Sequence, residues 1–119
     1  MDESILTSVK MALMGVTEDY TAFDPQIILN INSVFPTLQQ LGVGPEEGFS
    51  IADSSSKWSD YLGENETLLQ SVKLFVVNKV KLSFDPPSSS FVLSALETQT
   101  KELEWRIAVM VDHIREGAQ

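Results

Sequence analysis

The sequence predicts an all-α protein, a compact bundle of about four to five helices that ends in a long C-terminal helix. Nearly every segment repeats its apolar residues at spacings of three and four, and none alternates at two over the length of a strand. Glycine, proline and serine punctuate the chain where helices must stop and start, at Gly15, Asp24-Pro25, Gly42, Gly63 and Asp85-Pro86-Pro87. The chain has 119 residues, 43% of them hydrophobic, enough for one core and too few for two. Residues 1–119 therefore read as a single domain, with a radius of gyration of about 13 to 14 Å.

The first helix is expected from about Glu3 to Leu13, with Ile5, Leu6, Val9 and Leu13 on one face and Asp2 and Glu3 favourably placed against the helix dipole. Gly15 ends it, and a polar link leads to Asp24-Pro25, where an N-cap acceptor followed by proline signals a start. Ile27, Ile28, Ile31, Val34, Phe35, Leu38 and Leu41 keep the helical period to the stop at Gly42. Pro36 interrupts this helix, because its nitrogen cannot donate and its ring crowds the Asn32 carbonyl, so a kink is expected there. Residues 42–66 form the longest stretch without a period, rich in glycine, serine and acids, and Gly42-Val43-Gly44-Pro45 must turn. Within it, Ser54 to Ser56 offer caps for a short helix carrying Trp58, Tyr61 and Leu62, closed by Gly63. Its aromatics are suited to plug one end of the core.

The helix over about 66–84 is apolar around most of its circumference, which makes it the central helix. Asp85-Pro86-Pro87 stops it and Ser88-Ser89-Ser90 caps the next, giving a helical hairpin. The last helix is expected over about 90–114, roughly 37 Å long. Its stripe of Val92, Leu96, Leu103, Ile107, Met110 and Ile114 is broken by the polar run 98–102. The expectation is that its second half projects and presents Leu103, Trp105, Ile107, Met110 and Val111 to a neighbour.

Composition excludes several functions. No cysteine is present, so disulfide scaffolds, thiolate metal sites and cysteine nucleophiles are absent, and a reducing cytoplasm or a virus-like assembly fits. Eight basic residues against 17 acidic ones give a net charge of −9, the wrong sign for gripping phosphates. The excess lies in residues 1–66, where 11 acids face only Lys10 and Lys57. Such a half is either a solvated surface or a field that repels or mimics nucleic acid. No unbroken apolar run approaches the length of a membrane span, and the sequence opens with acids, so neither a membrane span nor a signal peptide is read.

Catalytic constellations are lacking. His113 is the sole histidine, and although Glu116 stands three residues on, a bundle metal site needs a second such pair and further carboxylates. The two serine triplets have no activating histidine or nucleophile elbow and read as caps and turns. Gly42-x-Gly44 precedes proline and acids, not a helix start after a strand, so it is not a phosphate loop. No cofactor, metal or catalytic residue is expected, and Trp58 and Trp105 read as core or interface anchors.

The ordered set of segments nevertheless resembles a family. It consists of Ile5 to Lys10, Asp24 before Ile27-Ile28, Asn30 to Ser33, Gln40 to Pro45, Trp58 to Gly63, Val72-Lys73, Val80-Lys81, Phe84 to Val92 and Lys101 to Arg106. In this order they resemble the head-tail connector proteins of long-tailed bacteriophages and prophages. Pro36 departs from the pattern, and residues from about Ala108 carry no motif of it. The resemblance implies a non-enzymatic virion protein at the head-tail junction, made in the bacterial host cytoplasm. It would assemble as a ring of about twelve copies beneath the portal protein, meet a head-closure or tail protein below, and extend the DNA channel without sequence-specific contact. A head-to-tail ring needs two different patches per subunit. The candidates are Trp105, Met110 and Ile114 on one side and the 42–66 loop, with Gly42, Gly44 and Trp58, on the other. Glu46, Glu47 and Asp53 are the candidate channel-facing acids. The competing reading is an acidic helical decoy or inhibitor that binds a basic nucleic-acid-handling protein, which has the charge but not the motif order.

Overall fold

The computed structural model describes residues 2–117, in which five helices follow one another without a strand: α1 (Ile5–Met14), α2 (Asp24–Gln40), α3 (Trp58–Leu62), α4 (Glu66–Phe84) and α5 (Ser90–Gly117). The all-helical expectation holds, including the long last helix. At 1.5 Å per residue α5 spans about 42 Å, close to the longest extent of the molecule, 45 Å. The radius of gyration is 14.3 Å.

α4 is central, as its apolar circumference demands, and packs against all four other helices. Its Val72, Phe75, Val76 and Val80 are buried, joined by Ile5 and Val9 from α1, by Ile27, Ile31 and Leu38 from α2, and by Leu103, Ile107 and Val111 from α5. These belong to one cluster of buried apolar side chains.

Caps and anchors differ from the sequence reading in instructive ways. Ser4 caps α1, its hydroxyl accepting from the Thr7 N–H, and Gly15 closes it with φ +65°. Asp24 is not the cap of α2. Phe23 holds that position and Asp24 is the first helical residue, its carboxylate taken by the Lys10 ammonium 2.9 Å away. Lys10 also donates to the Glu18 carbonyl and is 2% exposed at its side chain, so it ties the 15–23 link to both helices from inside. α2 runs on through Pro36, which is exposed while Val34, Phe35 and Leu38 beside it are buried.

The serine triplet 54–56 does not cap α3. Lys57 precedes the helix, and the Asp60 carboxylate reaches back to accept from the Lys57 N–H at 2.8 Å. The same segment holds the N-terminus. Ile5 N–H donates to the Ser56 carbonyl and Trp58 N–H to the Glu3 carbonyl, forming a short antiparallel bridge between Ser4 and Lys57. The 42–57 stretch is likewise fixed. Asn32 donates from its amide to the Ile51 carbonyl and accepts from the Ile51 N–H, which satisfies backbone that no helix or strand would.

Candidate functional site

Two surface regions have the shape of contact sites, one at each end of α5. The first is a cleft of about 370 Å³ where the end of α2, α3 and the last turns of α5 meet, bordered by Gly42, Gly44, Tyr61, Val111, Ile114 and Arg115. α2 finishes in a Schellman motif: Gly42 N–H donates to the Gln39 carbonyl and Val43 N–H to the Leu38 carbonyl. Gly42 (φ +93°) and Gly44 (φ +85°) both take a backbone shape that disfavours side chains. They also make room. A Cβ on Gly42 would lie 2.5 Å from the Arg115 guanidinium and 2.8 Å from Val111, and one on Gly44 would collide with the Tyr61 ring.

Tyr61 lines this cleft, its ring tilted against those of Phe35 and Phe49 at centroid distances of 4.7 and 4.9 Å. Its residue is 3% exposed and its hydroxyl is buried with no hydrogen-bond partner among the described residues. Burial pushes the phenol far above its ordinary pKa, so it stays protonated. Arg115, at the rim, pairs with no carboxylate among the described residues.

The second region is the first third of α5. The expected overhang exists, but at the opposite end of the helix. No residue from Ser90 to Gln99 is fully buried, whereas Leu103, Ile107 and Val111, expected to face outward, are core. The polar run that interrupts the stripe marks the change: Asn78 of α4, itself buried, donates to the Gln99 side chain at 2.9 Å, and Thr100 is buried. Beyond this point Phe91 is 84% exposed and Val92 50%. Sequence reasoning passed over Phe91, although it precedes Ile107 by 16 residues and so lies roughly 160° around the helix from the buried stripe.

The remaining candidates sort by burial. Trp105 is 68% exposed, on the side of α5 away from Leu103 and Ile107, and is free to meet a partner. Met110 is half-buried against the core and Ile114 is at the cleft rim. Trp58 corrects the expectation of a partner-facing residue. It is fully buried and its indole N–H donates to the Ser8 hydroxyl at 2.9 Å, so it serves the core. Gly42 and Gly44 do not lie on the side opposite Ile114; the fold brings all three into one cleft.

Glu46, Glu47 and Asp53 are exposed. Glu46 stands beside the cleft near Gln39 and Arg115, and the Gln39 amide donates to its carbonyl. Asp53 accepts from the hydroxyl and the N–H of Ser55, which hold its carboxyl below the usual aspartate value. Among the described residues no group of three or more His, Asp or Glu side chains could hold a metal ion, and no helix is long and apolar enough to cross a membrane. His113 and Glu116 are both 76% exposed at the side chain and 4.0 Å apart.

The described residues thus form an all-helical module with exposed aromatics at Phe91 and Trp105 and a surface cleft at the end of α2. The family is shown by its profile: the phage connector protein family matches residues 5–113 of the 119, and the chain belongs to it. No curated protein and no solved structure matches the chain. Membership makes the protein a virion component of the head-tail connector kind, built to join other virion proteins.

Proposed function

We propose that this protein acts as a non-enzymatic ring of about twelve copies below the portal protein, joining the capsid to a head-closure or tail protein and extending the DNA channel. The observation that carries the connector role is the family match over nearly the whole chain. Assembly is supported by Phe91 and Trp105, large aromatics exposed on a helix whose core face is already filled. The acidic excess of residues 1–66 supports a lumen that repels phosphate and lets DNA slide, with Glu46, Glu47 and Asp53 directed toward it.

Light scattering over a wide concentration range at low and high salt, with electron microscopy of any large species and with a candidate portal added, tests the reading. Rings that persist at high salt are expected, because buried apolar contacts are not screened. A chain that stays monomeric with and without portal, yet binds basic proteins in low salt, would overturn it in favour of a decoy. The channel assignment is tested separately with Glu46→Gln, Glu47→Gln and Asp53→Asn together. Unchanged packaging and ejection would remove those acids from the lumen.

A further inference from the structure

We infer that the chain outside a ring pairs with a second copy of itself, α5 against α5, antiparallel about a two-fold axis at Thr98. The surface used is the outer stripe of α5. Phe91, Thr98 and Trp105 recur every seven residues with Ala95 and Glu102 between them, and all five are exposed. At about 100° per residue they lie within about 40° of Phe91, whereas the buried Leu103 and Ile107 sit about 120° and 160° away. The body of each copy therefore stands on the far side of its own α5, clear of the partner. Along the stripe runs a shallow groove of about 500 Å³ lined by Phe91, Ser94, Ala95, Thr98, Gln99 and Glu102.

The order of charges along α5 favours a second copy of this chain and sets its direction. Residues 90–96 carry no charge, whereas Lys101, Glu102, Glu104 and Arg106 crowd the stretch that follows. With Thr98 at the axis, residues 101–106 of one copy lie along the uncharged 90–95 of the other. The same register sets Phe91 against Trp105 at both ends of the contact. Glu102, the one charge in the stripe, comes within one residue of Ala95, and Glu97 beside the axis points about 120° away from the stripe. A parallel pair would instead place Glu102 against Glu102, which repels. Between the aromatic ends, Ala95 and Thr98 are small enough for the axes to approach to about 8–10 Å.

The area fits a weak pair. Phe91 is 84% exposed and Trp105 68%, so at about 150–250 Å² per aromatic they bring roughly 230–380 Å² per copy into the contact. Two copies with the stripe between them approach the lower bound for a specific interface, about 1,200 Å². A two-fold contact closes on itself and cannot extend into a ring. The pair therefore goes beyond the connector reading: it covers Phe91 and Trp105 in the free subunit, and ring assembly has to open it.

The chain has no cysteine, which permits a direct test on the full-length protein. Under mild oxidation Thr98→Cys is expected to form a covalent dimer and nothing larger. A mixture of Ala95→Cys and Glu102→Cys is expected to give the mixed dimer well above its statistical share, while each alone gives little. Phe91→Asp in the Thr98→Cys chain should lower the dimer yield by at least about tenfold, as loss of an aromatic anchor does. Its melting temperature should not move, because Phe91 is exposed. Locking the Thr98→Cys pair should block ring formation on a portal, and reductant should restore it.

A Thr98→Cys yield that Phe91→Asp leaves unchanged would overturn the pairing. So would Ala95→Cys and Glu102→Cys each linking to itself with the mixed product at its statistical share, the mark of a parallel contact or of chance collision. Rings built from locked pairs would refute the claim that pairing restrains assembly. The connector role fails separately: a chain that pairs as described but forms no ring with or without a portal would refute that role alone.

Discussion

Replacing Asp24 with alanine removes the carboxylate that pairs with a lysine held almost wholly out of water. Lys10 and Asp24 are 2.9 Å apart, with side-chain exposures of 2% and 22%. Breaking such a pair from the exposed side leaves an uncompensated buried ammonium, at a cost of about 3–5 kcal/mol. The converse change is milder. Lys10→Met fits an apolar slot with a side chain of similar length, and water can rehydrate the more exposed Asp24, so about 1–2 kcal/mol is expected. With roughly 2.1 cal/mol/K of unfolding entropy per residue, 119 residues make each kcal/mol worth about 4 °C. Asp24→Ala should then melt about 12–20 °C lower and Lys10→Met about 4–8 °C lower. The double variant should be more stable than Asp24→Ala alone, because the stranded charge has gone. Circular dichroism melts at neutral pH read the temperatures, and urea titrations with an unchanged slope confirm a stability effect. Additive losses, or an Asp24→Ala cost below about 1 kcal/mol, would refute the claim that Lys10 depends on this partner.

Trp105→Ala should leave monomer stability within about 0.5 kcal/mol while weakening assembly; a melt lowered by many degrees would make Trp105 a core residue. Its removal also isolates Trp58, whose fluorescence should be blue-shifted and resist iodide quenching, since that indole is fully buried. Gly44→Ala forces a side chain into left-handed backbone and against Tyr61, and should cost about 1–3 kcal/mol in urea unfolding; a neutral result would mean that the ring moves freely. Asp53 should titrate below 3.8 by carboxyl NMR, and Ser55→Ala should raise it. Because the folded value is depressed, the stabilisation from Ser55 is present above the unfolded value and fades as pH falls through the folded one. An unshifted Asp53 would mean that the Ser55 bonds are not held in solution.

Periodicity and punctuation made the helices legible, because each helix here has a face that must be buried and an end that must be capped. What they do not carry is which stretch of a face finds a neighbour. Val92, Leu96, Leu103 and Ile107 share one period, yet only the latter pair is buried. Caps were misread where equivalent acceptors compete: Asp60 reaches Lys57 from within the helix, so the serines are not needed. The Asn32 clamp on Ile51 joins residues 19 apart, and the burial of Lys10 depends on Asp24 and Glu18 folding back over it. The cleft was half legible: Gly42 and Gly44 announce a turn, but its other wall comes from Val111 to Arg115, some seventy positions away.

The backbone bridge that fastens Ser4 to Lys57 bears on how the chain folds while it is being made. α1 packs against α2 and α4, and its leading N–H waits for the Ser56 carbonyl. α1, made ahead of its partners, thus has no complete resting place until residue 76 or so has been added, a delay of about 4 to 14 s at 5–20 residues per second. During that interval Ile5, Leu6 and Val9 are uncovered. Synthesis rate and chaperone supply should govern the yield of native subunits, and slowing translation ahead of α4 should increase aggregation of nascent chains.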